Sequence, residues 1–453
     1  MTTRREPLQV KSALVIGLGS SGEAAARLLL RQGAKVTLMD DGNAEPLRRR
    51  AETMRQAGVF VLTGAGEVPQ GDFEVCVLSP GVPFAAPCVV ECRRRGIPVL
   101  AELELGWRCL SSRMLAVTGS NGKSTLAKFC RDTLRQGGYT AEAGANYGVP
   151  LSAMALLDPA PDWVVAEVSS FQLETVERFA PDVAILLNIN PNHLDRHATM
   201  EEYREMKSRL FRRQGPGCLA VLPDGDVQDI RDVVPDSCAV RTFGVTAGAD
   251  YRYESGWIKS SRLPDPVSIQ GSIFDNEVMG GTAAACVAAM EGCVLDPANV
   301  SKAAAAFERL PHRMQTVAVI RGISFVNDSK ATNLAAMSAG IRMVSGPVRL
   351  IAGGLLKESD LDSVKKILVK QVRAVYVIGK YASQIADAWR DVVPCVICTG
   401  LKEAVGCAWR EASAGETILL SPGCASFDQF RSFEDRGEQF AARVLEIKQG
   451  EVK

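Results

Sequence analysis

Histidine is almost missing from this chain: three occur in 453 residues, at positions 193, 197 and 312. His193 and His197 have helical ligand spacing, but no glutamate follows His193 as in HExxH and no cysteine lies close, which argues against a structural zinc site. Long apolar runs are missing as well. None approaches the roughly 20 residues of a membrane-spanning helix, and the opening stretch, MTTRREPLQVKS, has no apolar core of the signal-peptide kind. There is no excess charge of either sign, with 52 basic and 52 acidic residues. No overall field therefore favours nucleic acid or an anionic membrane, and any anion site must be local. The thirteen cysteines, an odd and scattered set, fit reduced thiols better than a disulfide framework. Together these absences predict a cytoplasmic protein with no nucleic-acid and no membrane partner, whose metal, if it has one, is oxygen-bound Mg²⁺.

What is present is organised around Met114 to Ala127, MLAVTGSNGKSTLA. The apolar run Leu115 to Val117 stops at Thr118-Gly119-Ser120-Asn121-Gly122-Lys123-Ser124-Thr125, and a helical pattern follows through Ala127, Phe129 and Leu134. Strand, glycine loop and helix in that order let backbone N–H groups turn inward on a phosphate chain, with Lys123 adding a full charge and the Ser124 hydroxyl suited to Mg²⁺. A full Walker pattern wants glycine where this chain has Val117. A plain glycine-serine turn is the other reading; a lysine and two hydroxyls at the helix start favour nucleotide binding.

A chain of this length holds two to four domains, since single cores seldom exceed roughly 250 to 300 residues. Near the start, Ala13 to Ile16 enters Gly17-Leu18-Gly19-Ser20-Ser21-Gly22, a helix follows, and Asp40 ends a second strand, Lys35 to Met39. This GxGxxG with an acid about 20 residues on indicates, taken alone, a dinucleotide enzyme. Further α/β units end at Leu62 and at Leu78, the latter running into Ser79-Pro80-Gly81. The strand Trp163 to Val168 carries Glu167 and ends in Ser169 and Ser170, which leaves two readings, a carboxylate for Mg²⁺ and a helix-capping cluster with Gln172 and Glu174. The strand Val183 to Leu187 leads into Asn188 through His197, a polar bunch of the kind that marks a site. Lys207, among Arg204, Glu205 and Arg209 on a predicted helix from Met200 to Phe211, is by composition a solvated helix residue. Gly215 to Gly271 predicts a β-rich excursion and Gly280 to Val294 a buried alanine-rich helix. From Leu310-Pro311-His312-Arg313 onward, strands at 324–326, 348–352, 374–378, 393–398 and 418–420 alternate with helices, so a parallel sheet should bring their following loops to one edge.

TGSNGKST, EVSSFQLE, NHLDRH, LPHR, NDSKATN and SPGCASFDQFRSFEDRG, in this order across nearly the whole chain, resemble the Mur ligases of peptidoglycan synthesis, most of all the branch that adds D-glutamate. The resemblance implies an α/β protein of three domains: a Rossmann-like UDP-sugar domain (1–106), a central P-loop ATPase-type domain with a parallel sheet (107–309), and a C-terminal Rossmann-like domain that receives the amino acid and closes over the centre (310–453). It implies a cytoplasmic, monomeric, ATP-dependent acid–amino acid ligase of cell-wall biogenesis, and so of cell shape and division. Its substrates would be UDP-N-acetylmuramoyl-L-alanine (UDP-MurNAc-L-Ala) and D-glutamate, joined through an acyl phosphate and a tetrahedral intermediate.

Carried over position by position, the family's roles give Gly119, Ser120, Asn121, Gly122, Lys123, Ser124 and Thr125 to ATP, together with Asn276, Arg313 and Asp328 for adenine, phosphate and ribose. Ser20, Ser21, Asp40, Ser79, Pro80, Gly81, Asn146 and His193 fall to the UDP-sugar, so GLGSSG would cradle a UDP diphosphate rather than NAD. Two Mg²⁺ ions would draw on Ser124, Glu167, His193 and a carbamate built from CO₂ on Lys207; Lys123, Glu167, His193 and Lys207 form the catalytic set. His193 reads equally as general base or as an orienting residue. Lys330, Thr332, Lys357, Ser426 and Phe433 would receive D-glutamate. The chain departs from the family pattern at Asp275 and Met279, at Asn192, and at Leu355-Leu356 before Lys357. The competing readings are a Mur-type ligase for a different amino acid and, from residues 12–40 alone, an NAD-dependent dehydrogenase.

Overall fold

The structure is a computed structural model that describes residues 5–191, 197, 199–357 and 360–451, so His193 and Asn192 lie outside the described residues. The chain packs as two compact bodies, Met1–Asn188 with Glu201–Phe307, and Ile189–Met200 with Glu308–Lys453.

The first body holds two sheets. Strands β1 (Ser12–Ile16), β2 (Lys35–Asp40), β3 (Phe60–Thr63), β4 (Val75–Leu78) and β5 (Val99–Ala101) form a parallel sheet in the order β3-β2-β1-β4-β5. Their near-continuous apolar runs are what a sheet covered on both faces requires. The helix Glu102–Cys109 carries the stretch where the first domain boundary is expected, and it packs on the short helix Leu151–Met154. Gly106 permits that contact: a Cβ there would lie 2.4 Å from the Leu151 carbonyl carbon.

The larger sheet contains β6 (Arg113–Thr118), β7 (Ala141–Ala145), β8 (Trp163–Glu167), β9 (Val183–Leu186), β10 (Leu219–Pro223), β11 (Ala239–Gly244), β12 (Tyr251–Glu254), β13 (Trp257–Lys259) and β14 (Val267–Ser268), in the order β14-β13-β12-β11-β10-β9-β6-β8-β7. The β-rich excursion is thus the outer part of this sheet, parallel as far as β12 and antiparallel from β12 to β14. The alanine-rich helix Glu277–Cys293 lies across β9 to β13, its small side chains allowing close approach; Gly280 sits against the Tyr253 ring and Gly292 against Val183 and Leu219.

In the second body, β15 (Gln315–Ile320), β16 (Ile323–Asn327), β17 (Val348–Gly353), β18 (Val372–Ile378), β19 (Cys395–Ile397) and β20 (Thr417–Leu420) are ordered β15-β16-β20-β17-β18-β19. All neighbours are parallel except β15 and β16, a hairpin absent from the sequence expectation. Because β16, β20 and β17 are adjacent, the loops after Asn327, Leu420 and Gly353 do meet at one edge: Leu355 and Ala425 exchange both backbone hydrogen bonds at 2.9 Å. One CxxC spacing, Cys395 to Cys398, occurs at β19. Its thiols belong to opposite faces of the sheet, and burial pushes them up to about 11 and about 12, so the pair has no redox-motif character.

Candidate active site

β6 sits between β9 and β8, and its carboxyl end releases the chain into Gly119 to Gly122. Gly119 has φ +150° and Gly122 φ +81°, and a Cβ at Gly122 would stand 2.8 Å from Leu187 Cδ2. Only glycine holds such a turn without strain. Asn188, at the end of β9, fixes the loop: its Oδ1 accepts from the Ser120 and Asn121 N–H groups at 3.1 and 2.9 Å, and its Nδ2 donates to the Asn121 carbonyl at 3.0 Å. Lys123 Nζ bends back to donate to the Gly119 and Ser120 carbonyls at 2.9 and 3.0 Å. The start of helix Lys123–Gln136 and this ammonium therefore concentrate positive charge at one point.

Facing the loop is Glu167, at the end of β8 and only 3% exposed. Ser124 Oγ donates to its Oε2 at 2.5 Å and Asn146 Nδ2 to its Oε1 at 2.6 Å. A buried carboxylate held by neutral donors, with no ion pair among the described residues, is a cation-seeking group. The capping reading of this segment holds in part: Ser169 makes a reciprocal capping box with Gln172 at the start of helix Ser170–Leu173, and Glu174 takes no part in that box.

Lys207 overturns its composition. It is 1% exposed, and its Nζ donates to the Gly119 carbonyl at 2.9 Å and lies 3.5 Å from Thr118 Oγ1. Burial first, then the like charge of Lys123, holds the amine well below the ordinary lysine range, while Glu167 pulls the other way. The helix Met200–Ser208 turns this face inward and leaves Glu201 and Glu202 exposed.

At the first sheet, Gly17 has φ +97°, and a Cβ on Gly22 would fall 1.8 Å from the Gly17 oxygen. Asp40 is spent on this turn: Oδ2 accepts from Leu18 N–H at 2.7 Å and Oδ1 from Gly42 N–H at 2.8 Å, while Ser79 Oγ donates to the Gly17 carbonyl at 3.0 Å. Ser20 is exposed and Ser21 half-buried at the start of helix Ser20–Arg31, which has no side-chain cap and is open to an anion. Pro80 and Gly81 reach the surface beside it. Asn276 caps helix Glu277–Cys293, accepting from Val278 and Met279 N–H at 3.1 and 3.0 Å.

In the second body Asp328 is buried at the end of β16, accepting from Ser421 Oγ at 2.8 Å and Met314 N–H at 3.2 Å; burial pushes its carboxyl up to about 7. Lys330 lies with Nζ 3.7 Å from the centroid of the Phe433 ring. Thr332 and Lys357 are half-buried and Ser426 is buried on the neighbouring loops, while Arg313 is half-buried at the start of the hairpin. Among the described residues no group of three His, Cys, Asp or Glu gathers to hold a metal.

Residues 11–101 match the Mur ligase MurD-like N-terminal domain, residues 117–271 the Mur ligase middle domain, and residues 312–424 the Mur ligase glutamate ligase domain. The chain belongs to the Mur ligase family. Proteins called UDP-N-acetylmuramoylalanine--D-glutamate ligase are similar over almost their full lengths: that of Koribacter versatilis is 37% identical, covering 98% of this chain and 99% of its own, and that of Nitratidesulfovibrio vulgaris is 39% identical, covering 95% of each. The fold is that of solved Mur ligases. The MurC ligase of Thermotoga maritima superposes with a TM-score of 0.59 at 17% identity over 96% of this chain and 99% of its own, and MurF of Acinetobacter baumannii with 0.62 at 15% over 95% and 93%. MurF of Thermotoga maritima, solved with ADP, gives 0.60 at 16% identity over 92% of this chain and 95% of its own.

In this Mur ligase three organising residues received no individual role from the sequence, although Asn188 lies in the polar bunch and Arg436 in the run SPGCASFDQFRSFEDRG. Asn188 clamps the Gly119 to Gly122 loop, and its place at the head of the polar bunch after an apolar strand was the available signal. Tyr203 lies one turn from Lys207 on the same helix face, a spacing that would have paired them. Arg436, 1% exposed, donates from Nε to Ser329 Oγ at 2.9 Å, from Nη2 to the Ser329 carbonyl at 2.8 Å and from Nη1 to the Cys424 carbonyl at 3.1 Å, tying two of the meeting loops together. Its place in SPGCASFDQFRSFEDRG marks the segment but does not show which loops the side chain joins.

Proposed function

We propose that this Mur ligase adds D-glutamate to UDP-N-acetylmuramoyl-L-alanine at the expense of ATP, in the synthesis of peptidoglycan precursors. The observation that carries this is full-length similarity, at 37 to 39% identity, to ligases of that name. A carboxylate is a poor acyl donor, so the substrate's alanyl carboxylate first attacks the γ-phosphate of ATP, giving an acyl phosphate and ADP. The amine of D-glutamate then adds to the acyl carbon, and the tetrahedral intermediate expels phosphate to leave the amide.

Lys123 leaves the Gly119 and Ser120 carbonyls to neutralise charge on the transferring phosphoryl group, which is where such enzymes place their cations. Arg313 is assigned to phosphate, Asp328 to the ribose and Asn276 to the adenine edge. Lys330, Thr332, Lys357, Ser426 and Phe433 grip D-glutamate, the lysines as carboxylate partners. Ser20, Ser21 and the Ser79-Pro80-Gly81 turn hold the UDP-sugar, with Asp40 shaping that loop through its hydrogen bonds to Leu18 and Gly42. His193, outside the described residues, and Asn146 orient the sugar-peptide end.

The donor set suits Mg²⁺: Ser124 and Glu167 stand side by side as a neutral and an anionic oxygen donor, and a second anionic oxygen would complete a hard-cation site. Mg²⁺ would screen the phosphate oxygens during transfer. Lys207 supplies the missing anion as a carbamate: the neutral amine's lone pair forms an N–C bond to CO₂, one C–O π pair moves onto oxygen, and an N–H proton leaves to water. The low proton affinity of the buried amine supports this step. The enzyme works in the cytoplasm, as a monomer.

The test is phosphate release by the full chain with UDP-MurNAc-L-Ala, ATP, Mg²⁺ and a panel of amino acids. Release with D-glutamate alone is expected; release with L-alanine or a diamino acid, and none with D-glutamate, overturns the assignment.

A further inference from the structure

Helix Met200–Ser208 touches the phosphate loop through two side chains one turn apart, and only Lys207 has a role so far. The other is Tyr203, 1% exposed, whose hydroxyl lies 3.1 Å from Ser120 Oγ. The face of the same ring carries the Lys207 amine, 4.5 Å from Nζ to the ring centroid. Lys207 in turn donates to the Gly119 carbonyl, the residue before Ser120. Residues four apart on a helix move together, and a buried tyrosine is held at both ends, its ring by packing and its hydroxyl by a hydrogen bond. A tyrosine that served only as filler would leave a polar tip to be satisfied wherever convenient. Here the tip meets the loop that shapes the phosphate site, and the ring meets the one lysine whose amine is buried beside it.

We propose, resting on the ligase reading above, that Tyr203 is a positioning residue joining two parts of the reaction: its hydroxyl sets the phosphate loop at Ser120, and its ring sets the Lys207 side chain for carbamate formation. The two halves separate by mutation. Tyr203→Phe removes one oxygen and keeps the ring, so ADP binding by calorimetry should weaken about three- to tenfold, the worth of one hydrogen bond. KM for ATP should rise by the same factor with kcat nearly unchanged. The ¹³C NMR carbamate signal after incubation with ¹³C-bicarbonate should match that of the wild type. Tyr203→Leu, with Tyr203→Met as a second variant should the first fail to fold, should lose most of the carbamate signal at a bicarbonate concentration that saturates the wild type, and kcat should recover as bicarbonate is raised. Circular dichroism and melting temperature establish that each variant is folded.

Wild-type ADP affinity in Tyr203→Phe overturns the hydroxyl's role. A wild-type bicarbonate dependence of the carbamate signal in folded Tyr203→Leu or Tyr203→Met overturns the ring's role. If the wild type itself shows no carbamate signal, the carbamate reading and the ring's role fall together, while the ADP comparison still decides the hydroxyl.

Discussion

A lysine amine at 1% exposure beside a second lysine costs folding free energy, and such a cost persists where a side chain has chemistry to do. Lys207→Ala should therefore lose at least about tenfold in phosphate release without loss of fold, and added acetate should restore part of it by replacing the missing anionic oxygen. Wild-type activity in that variant would reduce Lys207 to packing. Asp328 makes the opposite case, a carboxyl that folding holds protonated. Its pKa of about 7 lies above the unfolded value of about 3.9. Between those values the folded state binds more protons than the unfolded, so this group makes stability fall as pH rises through about 4 to 7. Asp328→Asn cannot ionise, and denaturant unfolding across that window should show a flatter pH profile with higher stability than wild type near pH 7.5. A steeper fall in the variant would refute the raised pKa.

At the scale of elements, the sequence showed what is written locally. Apolar runs such as Leu115 to Val117 and Val75 to Leu78 announce buried parallel strands, and the glycines that follow announce loops. Facing relations were not visible. Composition put Lys207 in solvent because its neighbours are charged, whereas the direction of helix Met200–Ser208 puts Lys207 and Tyr203 against the loop. The strands β7 and β15 were missed for a related reason: AEAGA and QTVAVI lie at sheet edges, where one-sided exposure weakens the apolar signal. Gly106 shows what such tertiary facts cost. It looks like a poor helix residue, yet it lets Glu102–Cys109 meet Leu151–Met154, with Glu102 accepting from Ser152 N–H at 2.7 Å. Gly106→Ala, which elsewhere in a helix would stabilise, should here destabilise by about 1 to 3 kcal/mol in urea unfolding. A gain in stability would mean the two helices separate freely.

For the whole molecule, motif order predicts three domains, and the apolar clusters differ in how far each keeps to its own stretch of chain. Among the described residues, two apolar clusters of the second body, one on each face of its sheet, draw on residues between Met314 and Ile447. One apolar cluster of the first sheet is different. It recruits Leu105 and, against it, Cys109, Ala155 and Leu156, so the N-terminal sheet completes its packing with chain that follows it. A fragment of residues 308–453 should then unfold cooperatively by calorimetry, whereas residues 1–106, lacking Cys109, Ala155 and Leu156, should show weak or no cooperative unfolding, and residues 1–307 should restore it. Cooperative folding of 1–106 alone would show that the contacts through Gly106 and Leu156 add stability without being required. Loss of folding in 308–453 would show that its two clusters are too small to offset the entropy of ordering that length of chain.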